Sequence, residues 1–187
     1  MSTSKYQTQI DEFMNYVNGI IPAEPEFLQA VLEVAETVVP YIEENPKYKK
    51  LVHGINLEGT FLKDPDYAGA QNPKYFYDID EEIIENLQQS SGGLLKVVNV
   101  PPEHGSRGCE LTEKLVSKNI VVAGGHTSAY GDEYSKAIEA GLNLSVHFLN
   151  GPSRSYSKSF RMGGAVEAML RSDKVFLEII CDGFHVD

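Results

Sequence analysis

The sequence predicts an α/β fold on parallel strands, a (β/α) barrel in preference to an open doubly wound sheet. Three observations lead there. Short, continuous apolar runs alternate with single amphipathic helices, about five such runs can be counted, and each is followed at once by a polar residue. Strands that read as unbroken apolar runs are covered on both faces, as in a parallel sheet. Polar residues at the ends of several strands suit a barrel, whose strand ends converge on one mouth.

The elements follow in order. Ile10, Phe13, Met14 and Val17 fall at helical spacing and predict a short helix from Ile10 to Val17. Pro25 opens a longer helix whose apolar residues (Phe27, Ala30, Val31, Val34, Ala35, Val38) repeat at helical intervals; it ends near Pro40 or in Glu43-Glu44-Asn45-Pro46. A strand from Leu51 to Leu57 leads into a Gly/Pro/Tyr-rich loop from Gly59 to Asp78, long enough to expect a functional role. Helices are then expected at Asp80 to Gln89, Glu110 to Lys118, Asp132 to Ala140 (capped by Gly141) and Gly163 to Arg171. Strands are expected at Leu94 to Val100, Ile120 to Ala123, Leu142 to Phe148 and Val175 to Ile180. At 187 residues the chain suits one domain but is short of the roughly 250 of a full barrel.

Composition narrows the partners. A net charge of -11, from 27 acidic and 16 basic residues, argues against nucleic acid and anionic membrane as partners. An anionic small molecule would need a local basic site. Cys109 and Cys181 form no C-x-x-C pair, and no stretch approaches the roughly 18 apolar residues of a membrane span. A cytoplasmic protein with reduced thiols is expected.

The polar strand ends are Glu58, Glu103, His126, His147 and Asp182. One carboxylate and two imidazoles, Glu58, His126 and His147, make a ligand set for a divalent metal with a position left for water. On residue type alone, each is more often a satisfied polar group than a ligand. Arg161 could be a solvated loop arginine, His185 part of a tail, and Gln71 a loop residue bonding backbone. Tyr67, Tyr75, Phe76 and Tyr77 either line a pocket or cover the barrel end. Glu103, beside Pro101-Pro102, reads as structural, His53 and His104 as histidines without a role, and Asp182 as orienting its own loop.

The local strings say more. Gly54-Ile55-Asn56-Leu57-Glu58-Gly59-Thr60-Phe61 resembles the H-L-E-G-P-F signature of N-acetylglucosamine-6-phosphate deacetylases of the amidohydrolase superfamily, and Ala68-Gly69-Ala70-Gln71-Asn72-Pro73 resembles their G-A-[HQ] segment. Val97 to Glu103 is similar to the strand ending A-P-E, and Gly125-His126-Thr127-Ser128-Ala129 to G-H-[ST]-x-A. Ser145 to Gly151 resembles T-H-L-[FY]-N-A, Arg161-Met162-Gly163-Gly164 resembles R-x-P-G, and Cys181 to Val186 resembles A-D-G-x-H-V. All stand in family order from Leu51 to Asp187.

The resemblance implies a barrel of the metal-dependent hydrolase type, incomplete in this chain, with about five strands and without the family's N-terminal β-sandwich. It implies that Glu58, His126 and His147 hold a divalent metal, zinc or iron. Gln71, Asn150, Gly151, Arg161 and His185 would hold a phosphorylated amino sugar, and Arg161 brings the planar fork that suits phosphate. The implied reaction converts N-acetylglucosamine 6-phosphate to glucosamine 6-phosphate and acetate in amino-sugar catabolism. The family's general-base aspartate has no counterpart, since Asp187 falls at a different place in the pattern, so no catalytic acid or base is assigned. Asn56 and Thr60 stand where the signature has His and Pro. Two open sheet edges would favour association of copies, a dimer in the simplest case. Two other readings fit the sequence: a noncatalytic sugar-phosphate-binding homologue, and an amidohydrolase acting on a different amide.

Overall fold

The computed structural model describes residues 5–20, 25–50, 53–150 and 163–186. The chain divides into two compact units, Met1–His53 and Gly54–Asp187.

The first unit holds two helices, α1 (Gln7–Ile20) and α2 (Pro25–Glu44), and a short 3-10 turn, Pro46–Lys50. Helix α1 extends about a turn beyond the apolar stripe that predicts it. Helix α2 passes through Pro40 and stops before Asn45-Pro46. Ile10 and Ala35 are buried, and the rings of Tyr41 and Tyr48 stack 5.3 Å apart.

Among the described residues, the second unit is built on a five-stranded parallel sheet: β1 (Ile55–Leu57), β2 (Leu95–Asn99), β3 (Val121–Gly124), β4 (Leu144–Ser145) and β5 (Phe176–Leu177). The strands lie side by side in chain order. That progression, with a helix before each new strand from β2 onward, is the expected (β/α) barrel pattern in part; among the described residues the strand order shows no reversal of the doubly wound kind.

Helices α3 (Glu81–Ser90), α4 (Ser106–Ser117), α5 (Gly131–Ala140) and α6 (Ala165–Arg171) connect the strands. Val98 and Val122 from the sheet pack with Leu111, Leu115, Tyr134, Ala137, Ala165 and Met169 from the helices. Local chemistry fixes the helix ends. The Asp80 carboxylate accepts the Glu82 N–H at the start of α3, Glu133 accepts the Tyr130 N–H at the start of α5, and Gly141 closes α5 at φ +116°.

Several expected limits are corrected. Among the described residues, the strand expected from Leu51 to Leu57 is Ile55–Leu57 and the one expected from Val175 to Ile180 is Phe176–Leu177. The strand expected from Leu142 to Phe148 is only Leu144–Ser145. Val146 and Phe148 are buried, but the backbone leaves the ladder, with φ +21° at His147 and +70° at Leu149. Helix α4 begins at Ser106 rather than Glu110, because the 3-10 turn Pro102–His104 and Gly105 at φ +61° start it a turn early.

The candidate metal centre at the strand ends

Glu58 follows β1 directly, His126 lies two residues beyond β3 and His147 two beyond β4. Parallel strands in sequential order bring these C-terminal ends to one side of the sheet. The Glu58 Oε1 lies 3.1 Å from His126 Nε2 and 3.3 Å from His147 Nε2, and the two imidazole nitrogens are 3.3 Å apart. The rings meet edge to face, their planes 85° apart.

This triangle suits a metal ion. Ligand bonds of about 2.0–2.1 Å at tetrahedral corners put donor atoms about 3.3–3.4 Å from one another. Three lone-pair donors converging at that spacing also call for a cation or proton between them. The orientation of His126 supplies the right donor. Its Nδ1 lies 2.9 Å from the Tyr67 carbonyl, which can only accept, so Nδ1 carries the hydrogen and Nε2 of the neutral ring presents its lone pair. Glu58, His126 and His147 thus form a group that could hold a metal ion.

Backbone conformation aims the side chains. His126 is only 4% exposed and sits at φ +50°, a left-handed conformation that turns its ring from the strand direction toward Glu58. Gly124 and Gly125 precede it where side chains do not fit. A Cβ on Gly125 would lie 2.6 Å from the Val146 Cβ, and one on Gly124 would lie 2.7 Å from both the Tyr134 hydroxyl and Leu142 Cδ1. Below Glu58 the Phe61 N–H donates to the Gly59 carbonyl, making a three-residue turn around Thr60 at φ +52°. Proline, held near φ -65°, cannot take that conformation, so Thr60 and its turn belong together.

The long loop after β1 is ordered by its own chemistry. Asp64 and Asn72 each cap a proline-led 3-10 turn, Pro65–Tyr67 and Pro73–Tyr75, and the Tyr77 N–H donates to the Thr60 carbonyl to close the base. The loop delivers the Tyr67 carbonyl to His126 and the Gln71 amide to Glu58 Oε1, at 3.3 Å.

Charge follows contact. The hydrogen bond from His126 draws the Glu58 carboxyl down to about 2, against the opposing effect of burial and with further help from His147. At His126, burial favours the neutral ring, but the bonds to Glu58 and the Tyr67 carbonyl and the Glu58 charge outweigh it and raise its pKa. Without a metal, both shifts favour the charged forms, carboxylate at Glu58 and imidazolium at His126. A metal would displace the proton.

Of the other candidates, Asn150 Nδ2 donates to the His185 carbonyl at 2.7 Å. The His185 ring lies 2.6 Å from Asp182, whose carboxyl is drawn down to about 2 by the backbone N–H groups of Phe184 and His185 and by the His185 ring. Asp182 orders its own turn in this way. Gly151 and Arg161 lie outside the described residues.

Three residues carry structural duties that sequence reading passes over or leaves general. Asn99, fully buried, bonds the backbones of Glu58 and Gly125. Glu103 accepts from the Thr127 hydroxyl and the Ser128 N–H, just beyond His126. His104 Nε2 donates to the Phe61 carbonyl at 2.6 Å. Asn99 has a signal in the sequence, an uncharged polar residue set among the valines of a largely apolar strand, and His104 has none.

No protein-family model matches this chain. N-acetylglucosamine-6-phosphate deacetylase of Bacillus subtilis is 35% identical over 132 residues, 71% of this chain and 32% of that protein. N-acetylgalactosamine-6-phosphate deacetylase of Escherichia coli O157:H7 is 31% identical over 135 residues, 72% of this chain and 34% of the relative. The resemblance is to sugar-phosphate deacetylases. The solved structure of a mutant N-acetyl-D-glucosamine-6-phosphate deacetylase from Mycobacterium smegmatis, in complex with N-acetyl-D-glucosamine 6-phosphate, superposes with a TM-score of 0.65 at 30% identity. The match covers 75% of this chain and 36% of that one. The chain spans about a third of the length of the curated relatives it matches. A shorter match of another kind, 43% identical over 42 residues, is to the NADP-specific glutamate dehydrogenase of E. coli K12, and covers 22% of this chain and 9% of the dehydrogenase. The deacetylase-like motifs carrying Glu58, His126 and His147 all fall in the second unit.

Proposed function

We propose that the second unit is part of a metal-dependent hydrolase that removes the acetyl group from N-acetylglucosamine 6-phosphate, giving glucosamine 6-phosphate and acetate. The carrying observation is the triangle of Glu58, His126 and His147 donors, spaced for one divalent ion, zinc or iron. Bound there, such an ion would polarise an acetamide carbonyl and acidify a water molecule.

The chain's own residues do the rest. Glu58 and the two histidines present one oxygen and two nitrogens to the ion, with the Tyr67 carbonyl keeping the His126 hydrogen on Nδ1. Gln71, a neutral donor beside Glu58, reaches toward the amide or the sugar. Asn150, Gly151, Arg161 and His185 hold the sugar phosphate, with Arg161 supplying the local positive charge that an anionic ligand needs in a chain of net charge -11. Amide hydrolysis also needs a proton taken from water and one given to the departing amine. Neither task is assigned to a residue here. We place the protein in the cytoplasm, self-associating as a dimer, with neither nucleic acid nor membrane as a partner. Among the described residues no helix is long and apolar enough to cross a membrane.

The test is metal content. Purified chain, stripped and reloaded with Zn²⁺, is expected to retain about one ion per chain, and His126→Ala to lose most of it. No retained zinc, or equal retention in His126→Ala, refutes the proposal.

A further inference from the structure

We propose that Asn99 is a positioning residue that sets the separation of Glu58 and His126 from the strand between them. The inference rests on the reading of Glu58, His126 and His147 as metal ligands.

Strand β2 lies between β1 and β3. Its ladder ends at Leu57–Val98 on one side and Asn99–Ala123 on the other. The next peptide groups toward the site, at Glu58 and Gly125, are past the last strand rungs, and Gly125 is buried, so its N–H and C=O need partners from a side chain. Asn99 meets this need. Its Nδ2 donates to the Glu58 carbonyl at 3.0 Å and to the Gly125 carbonyl at 3.2 Å, and its Oδ1 accepts the Gly125 N–H at 3.0 Å.

The amide orientation is fixed, because the carbonyls only accept and the N–H only donates. A carboxamide has the hydrogen-bonding groups of a peptide, so this side chain extends the sheet by one rung on both sides at once. Asp offers no donor when ionised, and Ser offers one. One bond goes to the residue that carries the carboxylate and two go to the residue before His126. The 3.1 Å between Glu58 Oε1 and His126 Nε2 is therefore set through Asn99.

The experiment uses the full chain with Asn99→Asp and Asn99→Ser. Zinc affinity is measured by competition with a chromophoric chelator, the visible spectrum is recorded with Co²⁺, and urea stability is recorded without metal. Thr112→Val is the control, since Thr112 is equally buried on α4 and bonds only within its helix, to the Gly108 carbonyl. Both Asn99 variants are expected to bind zinc about 10- to 100-fold more weakly, with an altered Co²⁺ spectrum. Thr112→Val is expected to lose stability and keep both metal readouts. Asn99 variants of lower stability but unchanged affinity and spectrum overturn the proposal, and so does failure of both to fold, which assigns Asn99 to folding. A wild-type chain that binds no zinc, by contrast, removes the metal reading itself.

Discussion

Glu58→Gln in the metal-free chain removes the negative member of the Glu58–His126 pair and keeps its shape. The folded carboxyl sits at about 2 against an ordinary 4.5. A depression of that size corresponds to about 3 kcal/mol, and solvent screening of a partly exposed side chain brings it to about 1.5–2 kcal/mol. Because the Glu58 pKa is depressed, its stabilisation is present above 4.5 and is lost as pH falls toward 2. Because the His126 pKa is raised above 6.5, its stabilisation is full below 6.5 and fades as pH rises through the raised value. Both partners are charged together between about pH 4.5 and 6.5, and the wild type should exceed Glu58→Gln most in that window. Urea unfolding followed by far-ultraviolet circular dichroism in chelator, at about pH 3, 5.5 and 9, gives the difference curve. A difference that stays flat across the three, or is largest at the alkaline end, refutes the ionic pairing.

Other substitutions probe the frame around the group. Thr60→Gly should gain about 1 kcal/mol by relieving a branched residue at positive φ, whereas Thr60→Pro, which restores the signature residue, should lose about 1–3 kcal/mol; equal stabilities in urea contradict the turn. Gly125→Ala drives a methyl into Val146 and should cost about 1–3 kcal/mol and lower zinc retention, as metal analysis of the folded variant would show. Tyr134→Phe removes a buried hydroxyl bond to the Gly124 carbonyl and should cost about 1 kcal/mol by thermal or urea unfolding while the zinc stays bound.

The alternation of apolar runs and helices made the parallel sheet legible, since each run supplies a strand with helices on its flank. Glu58, His126 and His147 were legible because their polar side chains interrupt apolar patterns at equivalent places. The strand limits were less so. Apolarity marks burial, and Val146 and Phe148 are buried without pairing, so the expected β4 was too long. The early start of α4 was hidden because its first turn, Ser106 to Cys109, has no apolar stripe and depends on Gly105. Asn99 stood in plain view as a polar residue in the run Leu95 to Val100, but what it bonds depends on where two neighbouring ladders end, and no single strand's sequence contains that. Left-handed backbone at His126 and Thr60 is likewise a product of surroundings, since neither residue type demands it.

The hydrogen on His126 Nδ1 is held by a peptide oxygen, that of Tyr67, and every amino acid carries one. Side-chain replacement at position 67 leaves the acceptor on the main chain, so mutational scanning is poorly suited to detect this contact. Shortening the segment between Pro65 and Ala68 by a single residue would carry the oxygen elsewhere and release the imidazole to its other tautomer. The ring's proton is thus governed by the length and path of a loop, and variation there should be judged by insertions and deletions before substitutions.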